Sequence, residues 1–321
     1  MNISILGAGV WGRAVGKLVA DRGHTVSLLH HTARDWNDVA EQILPTPGSE
    51  CPPPSEACTS PAGPMDFLML GLPVQHIRET IRRLAPPGVP VLGLSKGLEI
   101  RSGKRVSELV TELWGEARVG ALSGPTFATE IQRGQPAACV VAAENEALAE
   151  AFQDLLHQPS FRTYRSTDLT GVELGGALKN VYAIACGACA GLDLGENCQA
   201  ALFTRCLAEM TRLGVHSGGR AETFAGLSGV GDLHLTGMSQ QSRNHRVGRL
   251  LAAGHTLNEA LARLGGVAEG VPTTRSAYEN ELIPADAKPI VTEVYRILYE
   301  GKNLADAVRD LLGRSMKKEV Y

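Results

Sequence analysis

The segment Glu173-Leu174-Gly175-Gly176-Ala177-Leu178-Lys179-Asn180 sets a lysine three and four residues past two glycines, within a stretch of helical periodicity. A long side chain on a helix leans back over the preceding turn, so Lys179 would lie over Gly175 and Gly176. Each glycine costs the helix about 1 kcal/mol against alanine, which makes sense where something must approach closely. A lysine above such a patch can give a proton to a substrate oxygen. Close helix packing beside a solvated lysine would produce the same pattern. A carboxylate comes from Gly226-Leu227-Ser228-Gly229-Val230-Gly231-Asp232, where three glycines in six residues mark a constrained turn that presents Asp232. Near Lys179 it would hold the ammonium and favour its charged form. Ser242-Arg243-Asn244 opens a helical pattern. Hydroxyl, guanidinium and amide donors at a helix N-terminus suit a phosphate, and arginine offers paired donors that a lysine cannot.

Two further clusters follow predicted strands. Lys96, in Ser95-Lys96-Gly97, falls beyond a strand's carboxyl end, where doubly wound sheets bind ligands. An ordinary solvated lysine would occupy the same position. In Ser123-Gly124-Pro125-Thr126-Phe127-Ala128-Thr129-Glu130 a strand ends, Gly-Pro turns the chain and a helix begins, with Pro125 suited to its first turn. Gly124 and Thr126 would flank that helix N-terminus, as an anion site or as a simple cap. Val267-Ala268-Glu269-Gly270 has no reading from physics alone.

The first dozen residues are more explicit. Gly7-Ala8-Gly9-Val10-Trp11-Gly12 is a GxGxxG between an apolar strand pattern and a helical one. Gly7 permits the tight turn, Gly9 leaves the backbone open to a pyrophosphate, and Gly12 lets the helix pack on the strand. The end of the second strand usually carries an acid that bonds the ribose of NAD. Here His30-His31-Thr32 stands there, with Arg34 just beyond. That set could bond a 2′-phosphate, and NADPH should be accepted at least as well as NADH. Surface histidines without a role would also fit.

The elements that must position these residues change character along the chain. Strand patterns at 2–6, 25–29, 66–71, 89–94, 118–122, 137–142 and 161–165 alternate with helical ones. This predicts a Rossmann-type, doubly wound, mainly parallel sheet over 1–168. Past 168 the strand-like runs vanish. Helical patterns at 171–191, 198–214, 242–253, 256–264, 272–280, 291–300 and 303–312 predict an all-α domain over 169–321. The Pro- and Ser-rich run at 45–64 reads as an irregular surface loop. The formal net charge of −3 supplies no field for nucleic acid or an anionic membrane. Any phosphate must therefore be held by a local cluster. No signal peptide precedes the first strand and no apolar run reaches spanning length, so a cytoplasmic protein without membrane anchoring is expected. Seven cysteines, an odd number, show no disulfide framework. The Cys186-x-x-Cys189 pair reads as small buried helix residues, and no metal site is expected.

Together the motifs GAGVWG, SKGLE, LSGPTFATE, GVELGGALKN, GLSGVGDL, SRNHRVG, VAEGVPTT and LYEGKN resemble, in order and over nearly the whole chain, the NAD(P)-dependent glycerol-3-phosphate dehydrogenases of bacterial type. The resemblance implies reversible reduction of dihydroxyacetone phosphate to sn-glycerol 3-phosphate, the backbone precursor of phospholipids, with NADP(H) or NAD(H). It implies that Lys179 is the catalytic acid/base. Substrate contacts would come from Lys96, Gly124, Thr126, Lys179, Asp232, Ser242, Arg243 and Asn244. Cofactor contacts would come from Val10, Trp11, His31, Lys96, Ala128, Arg243, Val267 and Glu269. In the implied mechanism Lys96 stabilises the developing oxyanion, while Asp232 and Asn180 orient Lys179. A homodimer is compatible with the resemblance, though the sequence does not specify assembly. One departure stands out: the family usually has a longer, partly helical stretch where this chain has the 45–64 loop. Two rivals remain at this point, a β-hydroxyacid dehydrogenase on the same plan and a non-catalytic NADPH sensor. The Ser-Arg-Asn cluster suits a carboxylate less well, and a sensor needs no proton donor.

Overall fold

The computed structural model describes residues 1–35, 37–43, 64–115, 118–280, 287–315 and 318. Apart from Pro64, the 45–64 loop lies outside the described residues. The first half alternates β1 (Asn2–Leu6), α1 (Val10–Ala20), β2 (Thr25–Leu29), β3 (Val39–Ile43), β4 (Phe67–Leu70), α2 (Val74–Ile81), β5 (Val91–Gly93), α3 (Val106–Trp114), β6 (Val119–Ser123), α4 (Ala128–Gln132), β7 (Ala137–Ala143), α5 (Glu146–Leu156) and β8 (Phe161–Ser166). The strands form one sheet in the order β3-β2-β1-β4-β5-β6-β7-β8. The central strands are buried on both faces and mostly apolar, with Ser4 and Ser27 the buried exceptions in β1 and β2, because helices cover both faces. Ile3, Ile5, Val26, Leu28 and Met69 face one core with α1 and α5. Leu6, Leu29, Leu68 and Leu70 face the other with α2 and α3. From β1 the chain steps to β2 on one side and later to β4 on the other, all parallel. This reversal opens a crevice beyond the strand ends, where α/β sheets bind ligands.

Strand β3 is an element the sequence patterns did not show. It pairs antiparallel with β2 at the sheet edge, and its three central residues are exposed. An edge strand with one weakly buried face lacks the apolar alternation that marks strands. A second antiparallel pair, β6 with β7, makes the sheet mixed rather than wholly parallel.

Strands end at Ser166, and α6 (Leu169–Gly191) begins at once, capped by the Asp168 carboxylate, which accepts from Gly171 N. Its residues are buried almost all round, as expected of a helix at the centre of a bundle. Around it lie α7 (Glu196–His216), α8 (Ala221–Phe224), a π-helical turn (Leu227–Gly231), α9 (Asp232–Met238), α10 (Arg243–Ala252), α11 (Leu257–Ala262), α12 (Gly270–Glu279), α13 (Pro289–Tyr299) and α14 (Leu304–Leu312). Helix α10 crosses α6 at glycines: a Cβ on Gly187 would collide with the His245 carbonyl, and one on Gly248 with that of Ile184. This close crossing places the N-terminus of α10 over the middle of α6. No helix among the described residues is long and apolar enough to cross a membrane.

Candidate active site

The Gly-rich turn joins β1 to α1. Gly7 has φ +126°, and a Cβ there would strike Gly71 backbone. A Cβ on Gly12 would run into the Gly7 carbonyl, whereas one on Gly9 would meet nothing within 4 Å. Gly9 is also the N-cap of α1 and provides no side-chain cap, so the first amides of α1 keep their donors free. The open face, the free amides and the tight turn beneath them fit a dinucleotide pyrophosphate. Val10 is exposed, and Trp11 Nε1 donates to the Leu94 carbonyl at 2.9 Å, fixing the ring beside β5. At the end of β2, His30, His31 and Arg34 are exposed, and Arg83 donates to the His31 carbonyl at 2.7 Å. Asp35 and Asp38 lie in the same turn, where they accept from the amides of Asn37 and Arg34.

Lys96, past the end of β5, donates from Nζ to the Gly124 carbonyl (2.8 Å), to Thr126 Oγ1 (3.3 Å) and to Asp232 Oδ2 (2.7 Å). Lys179 Nζ donates to Asp232 Oδ1 at 2.8 Å and to Thr236 Oγ1 at 2.6 Å. One buried carboxylate thus bridges two ammonium groups, one from each half of the chain. Burial pulls Lys179 down to about 8, against the attraction of Asp232 and with help from the Lys96 charge. Burial also works against the ionised Asp232, but the charges of Lys179 and Lys96 outweigh it and hold its carboxyl below the usual range. A lysine near 8 can give and take a proton at neutral pH.

The geometry corrects several expectations. The glycines before Lys179 do not open a patch for a ligand. A Cβ on Gly175 would meet the Ser228 carbonyl of the π turn, and one on Gly176 would meet Ser123 Oγ. They let α6 touch the elements that carry Asp232 and Lys96. Asn180, expected to orient Lys179, instead donates to the carbonyls of Lys96 (3.1 Å) and Gly176 (3.2 Å). Its Oδ1 accepts from Asn244 Nδ2 at 2.8 Å, and Asn244 Oδ1 accepts from Gly270 N at 2.9 Å. Pro125 and Thr126 precede α4, whose N-cap is Phe127 and whose first residue is Ala128, so they do not form its first turn. Gly124 has φ +128° and offers its carbonyl, which Thr126 Oγ1 and Lys96 both bond.

Ser242 caps α10, its Oγ accepting from His245 N, while Arg243 is exposed beside Gly266. Val267 is exposed too. Glu269 is half-buried at the head of α12: Oε1 accepts from Val74 N at 3.0 Å, while the Oε2 atom is buried without a hydrogen-bond partner among the described residues. Burial raises its carboxyl to about 7. Thr236 was missed by sequence reasoning. It lies four residues after Asp232, one turn on along α9, and that spacing was the available signal. Cys186 and Cys189 are buried on α6, as expected of small helix residues.

Models of the N- and C-terminal parts of the NAD-dependent glycerol-3-phosphate dehydrogenases match residues 2–149 and 168–309. The chain is 42% identical to the glycerol-3-phosphate dehydrogenase [NAD(P)+] of Desulfitobacterium hafniense, over 99% of this chain and 93% of that one. It is also 42% identical to the enzyme of the same name from Moorella thermoacetica, over 99% and 98%. Its fold superposes on the crystal structure of glycerol-3-phosphate dehydrogenase from Coxiella burnetii with a TM-score of 0.83 and 33% identity, covering 98% and 99% of the two chains. With the dinucleotide turn, the paired lysines and these matches in agreement, the chain belongs to the NAD-dependent glycerol-3-phosphate dehydrogenase family.

Proposed function

We propose that this protein catalyses the reversible reduction of dihydroxyacetone phosphate to sn-glycerol 3-phosphate with NADPH or NADH, supplying the glycerol backbone of phospholipids. Residues 1–168 form the cofactor domain and 169–321 the substrate domain. The observation that carries the reading is the Asp232 carboxylate held between Lys96 and Lys179, 2.7 and 2.8 Å away. Such a bridge keeps two ammonium groups side by side where a ketone oxygen gains charge. When bound, the reduced nicotinamide supplies the hydride. Lys179 holds the proton for the substrate oxygen at Nζ and Lys96 adds positive potential. Asp232 fixes both ammoniums. Arg243 grips the phosphate with Ser242 and Asn244, and Gly124 and Thr126 set the floor by anchoring Lys96. Orientation of this kind lowers the barrier by removing freedom before reaction. The cofactor is held by Gly7, Gly9, Val10, Trp11, Gly12, Ala128, Val267 and Glu269. At its adenosine end His31, with His30, Arg34 and Arg83, accepts a 2′-phosphate.

The test is NAD(P)H oxidation by the purified protein with dihydroxyacetone phosphate, set against a series of 2- and 3-oxoacids. Turnover restricted to the phosphorylated ketone supports the reading. Preference for an oxoacid, or tight cofactor binding without turnover of any of them, overturns it. Comparing kcat/KM for NADPH and NADH tests the His31 cluster separately, and a strong NADH preference would remove it.

A further inference from the structure

Four cysteines gather where α6 meets α7: Cys186 and Cys189 on the first helix, Cys198 and Cys206 on the second. The Cys-x-x-Cys spacing suggests that Cys186 and Cys189 would pair, but each finds its partner on α7. Cys189 Sγ lies 3.7 Å from Cys198 Sγ, and Cys186 hydrogen-bonds to Cys206. The two contacts differ in access. Cys186, Cys189 and Cys206 are 4%, 4% and 0% exposed, so the difference lies in the cavity, which neither Cys186 nor Cys206 lines. Cys198 is half-buried, and Cys189 and Cys198 both line a cavity of about 580 Å³ bounded by α6, α7, α13 and α14.

We propose that Cys189 and Cys198 form a reversible disulfide site, oxidised by hydroperoxides that reach it through this cavity and reduced again by small thiols. Access decides the order of events. The thiolate of Cys198 attacks the peroxide, the O–O bond breaks and an S–O bond forms, leaving Cys198 as a sulfenic acid. The leaving oxygen takes a proton and departs as water from hydrogen peroxide, or as an alcohol from an organic peroxide. The sulfur loses two electrons and the peroxide gains them. Cys189 then attacks the Cys198 sulfur. The S–S bond forms, the S–O bond breaks, and water leaves with the Cys189 proton. Burial pushes the Cys189 thiol up, which slows this second step. Two thiol equivalents reverse the result, giving back both cysteines and one small-molecule disulfide.

The sulfurs must close from 3.7 Å to about 2.05 Å. The intervening chain is a short irregular link, with Asp193 at φ +53° and Gly195 at φ +83°. Glu196 and Asn197, which open α7 after it, are exposed and Cys198 is half-buried, so Cys198 stands at the rim of the helix pair and not in its core. Cys186 and Cys206 do not line the cavity and stay reduced.

The full chain is treated with graded hydrogen peroxide, alkylated, and cut with a glutamate-specific protease. Cleavage after Glu196 separates Cys189 from Cys198. The expected product is a cross-linked pair of peptides, lighter by about 2 Da than the sum of the two, that separates on reduction with dithiothreitol. Cys198→Ser should abolish the cross-link, and Cys189→Ser should let a Cys198 sulfenic acid accumulate that dimedone traps. A Cys51→Ser/Cys58→Ser variant should form the same cross-link. Advance of Cys198 to sulfinic acid while Cys189 still alkylates would overturn the proposal. So would a disulfide that joins either cysteine to any other.

Discussion

The Gly7–Gly12 turn and the Lys96–Asp232–Lys179 bridge are the two regions to which we assign cofactor binding and catalysis, and they are built in opposite ways. The turn is six consecutive residues, acts through backbone amides and an absent side chain, and contains no titrating group. The bridge joins residues 96, 179 and 232, acts through charge, and depends on burial to bring a lysine near neutrality. A site made of neighbours needs only local geometry to be right. A site made of distant side chains needs the whole fold to be right, and in return gains an electrostatic environment that no local segment can supply.

The sharpest contrast lies in what each tolerates. Replacing Lys179 by alanine should lower turnover by roughly 10²–10⁴. The fold should survive, because Asp232 keeps its bond to Lys96 and no buried charge is orphaned. Cofactor affinity should be unchanged. Steady-state kinetics, cofactor titration and thermal melting on the same sample decide it. Turnover within about tenfold of wild type would break the assignment of Lys179 and with it the comparison.

Two glycines probe the other region. A Cβ on Gly9 meets no protein atom within 4 Å. Gly9→Ala should therefore melt like wild type yet bind the cofactor about tenfold or more weakly, because only the pyrophosphate would meet the methyl group. Gly12→Ala drives a methyl into the Gly7 carbonyl and should lose stability, by about 1–3 kcal/mol for an overpacked site. If Gly9→Ala binds normally, the phosphates do not lie on this turn.

Protonation separates the regions without mutation. In the role proposed for Lys179 reduction needs its charged form, and burial holds that group down to about 8. The rate should be level below that pH and fall about tenfold per unit above it. Oxidation of the alcohol needs the neutral amine, so its rate should rise through the same range and level off above it. Cofactor affinity between pH 8 and 10 should follow neither limb, since the turn contains no group to titrate and Glu269, raised to about 7, is largely ionised throughout that range. A reduction rate that stays level to pH 10 would place the proton donor elsewhere.

The same contrast explains what could be read in advance. The turn was legible because its ingredients are adjacent and each glycine has a local reason. Lys179, Asp232 and Lys96 were legible as separate residues in unusual settings, but a single carboxylate shared by both lysines is a product of tertiary packing. Gly175 and Gly176 leave an open ligand patch and close packing equally readable, because sequence shows that a Cβ is absent and not what fills its place. Here Ser228 and Ser123 fill it. Asn180 stands next to Lys179 in sequence, yet on a helix its amide points to Lys96 and Asn244. Adjacent helix residues do not share a face. Strand β3 stayed hidden because an exposed edge leaves little periodicity.

Thr236 is the residue that belongs to the bridge without having announced itself. Its Oγ1 accepts from Lys179 Nζ at 2.6 Å and donates to Asp232 Oδ1 at 3.1 Å. It thus favours the charged lysine in two ways, by direct solvation and by steadying the counter-ion. Thr236→Val keeps the shape and removes the hydroxyl, so the protein should fold and bind cofactor normally. With one acceptor lost, the ammonium is less favoured and the Lys179 midpoint should fall further. The descending limb of the reduction profile should then move to lower pH, by about half to one unit if the bond contributes about 1 kcal/mol. At pH 7 the turnover loss should be only a few-fold, the smallest effect considered, because Asp232 still holds the lysine. A reduced rate with an unmoved profile would mean that the hydroxyl only fills space. A moved profile would show that the proton site extends one helical turn beyond the three charged residues.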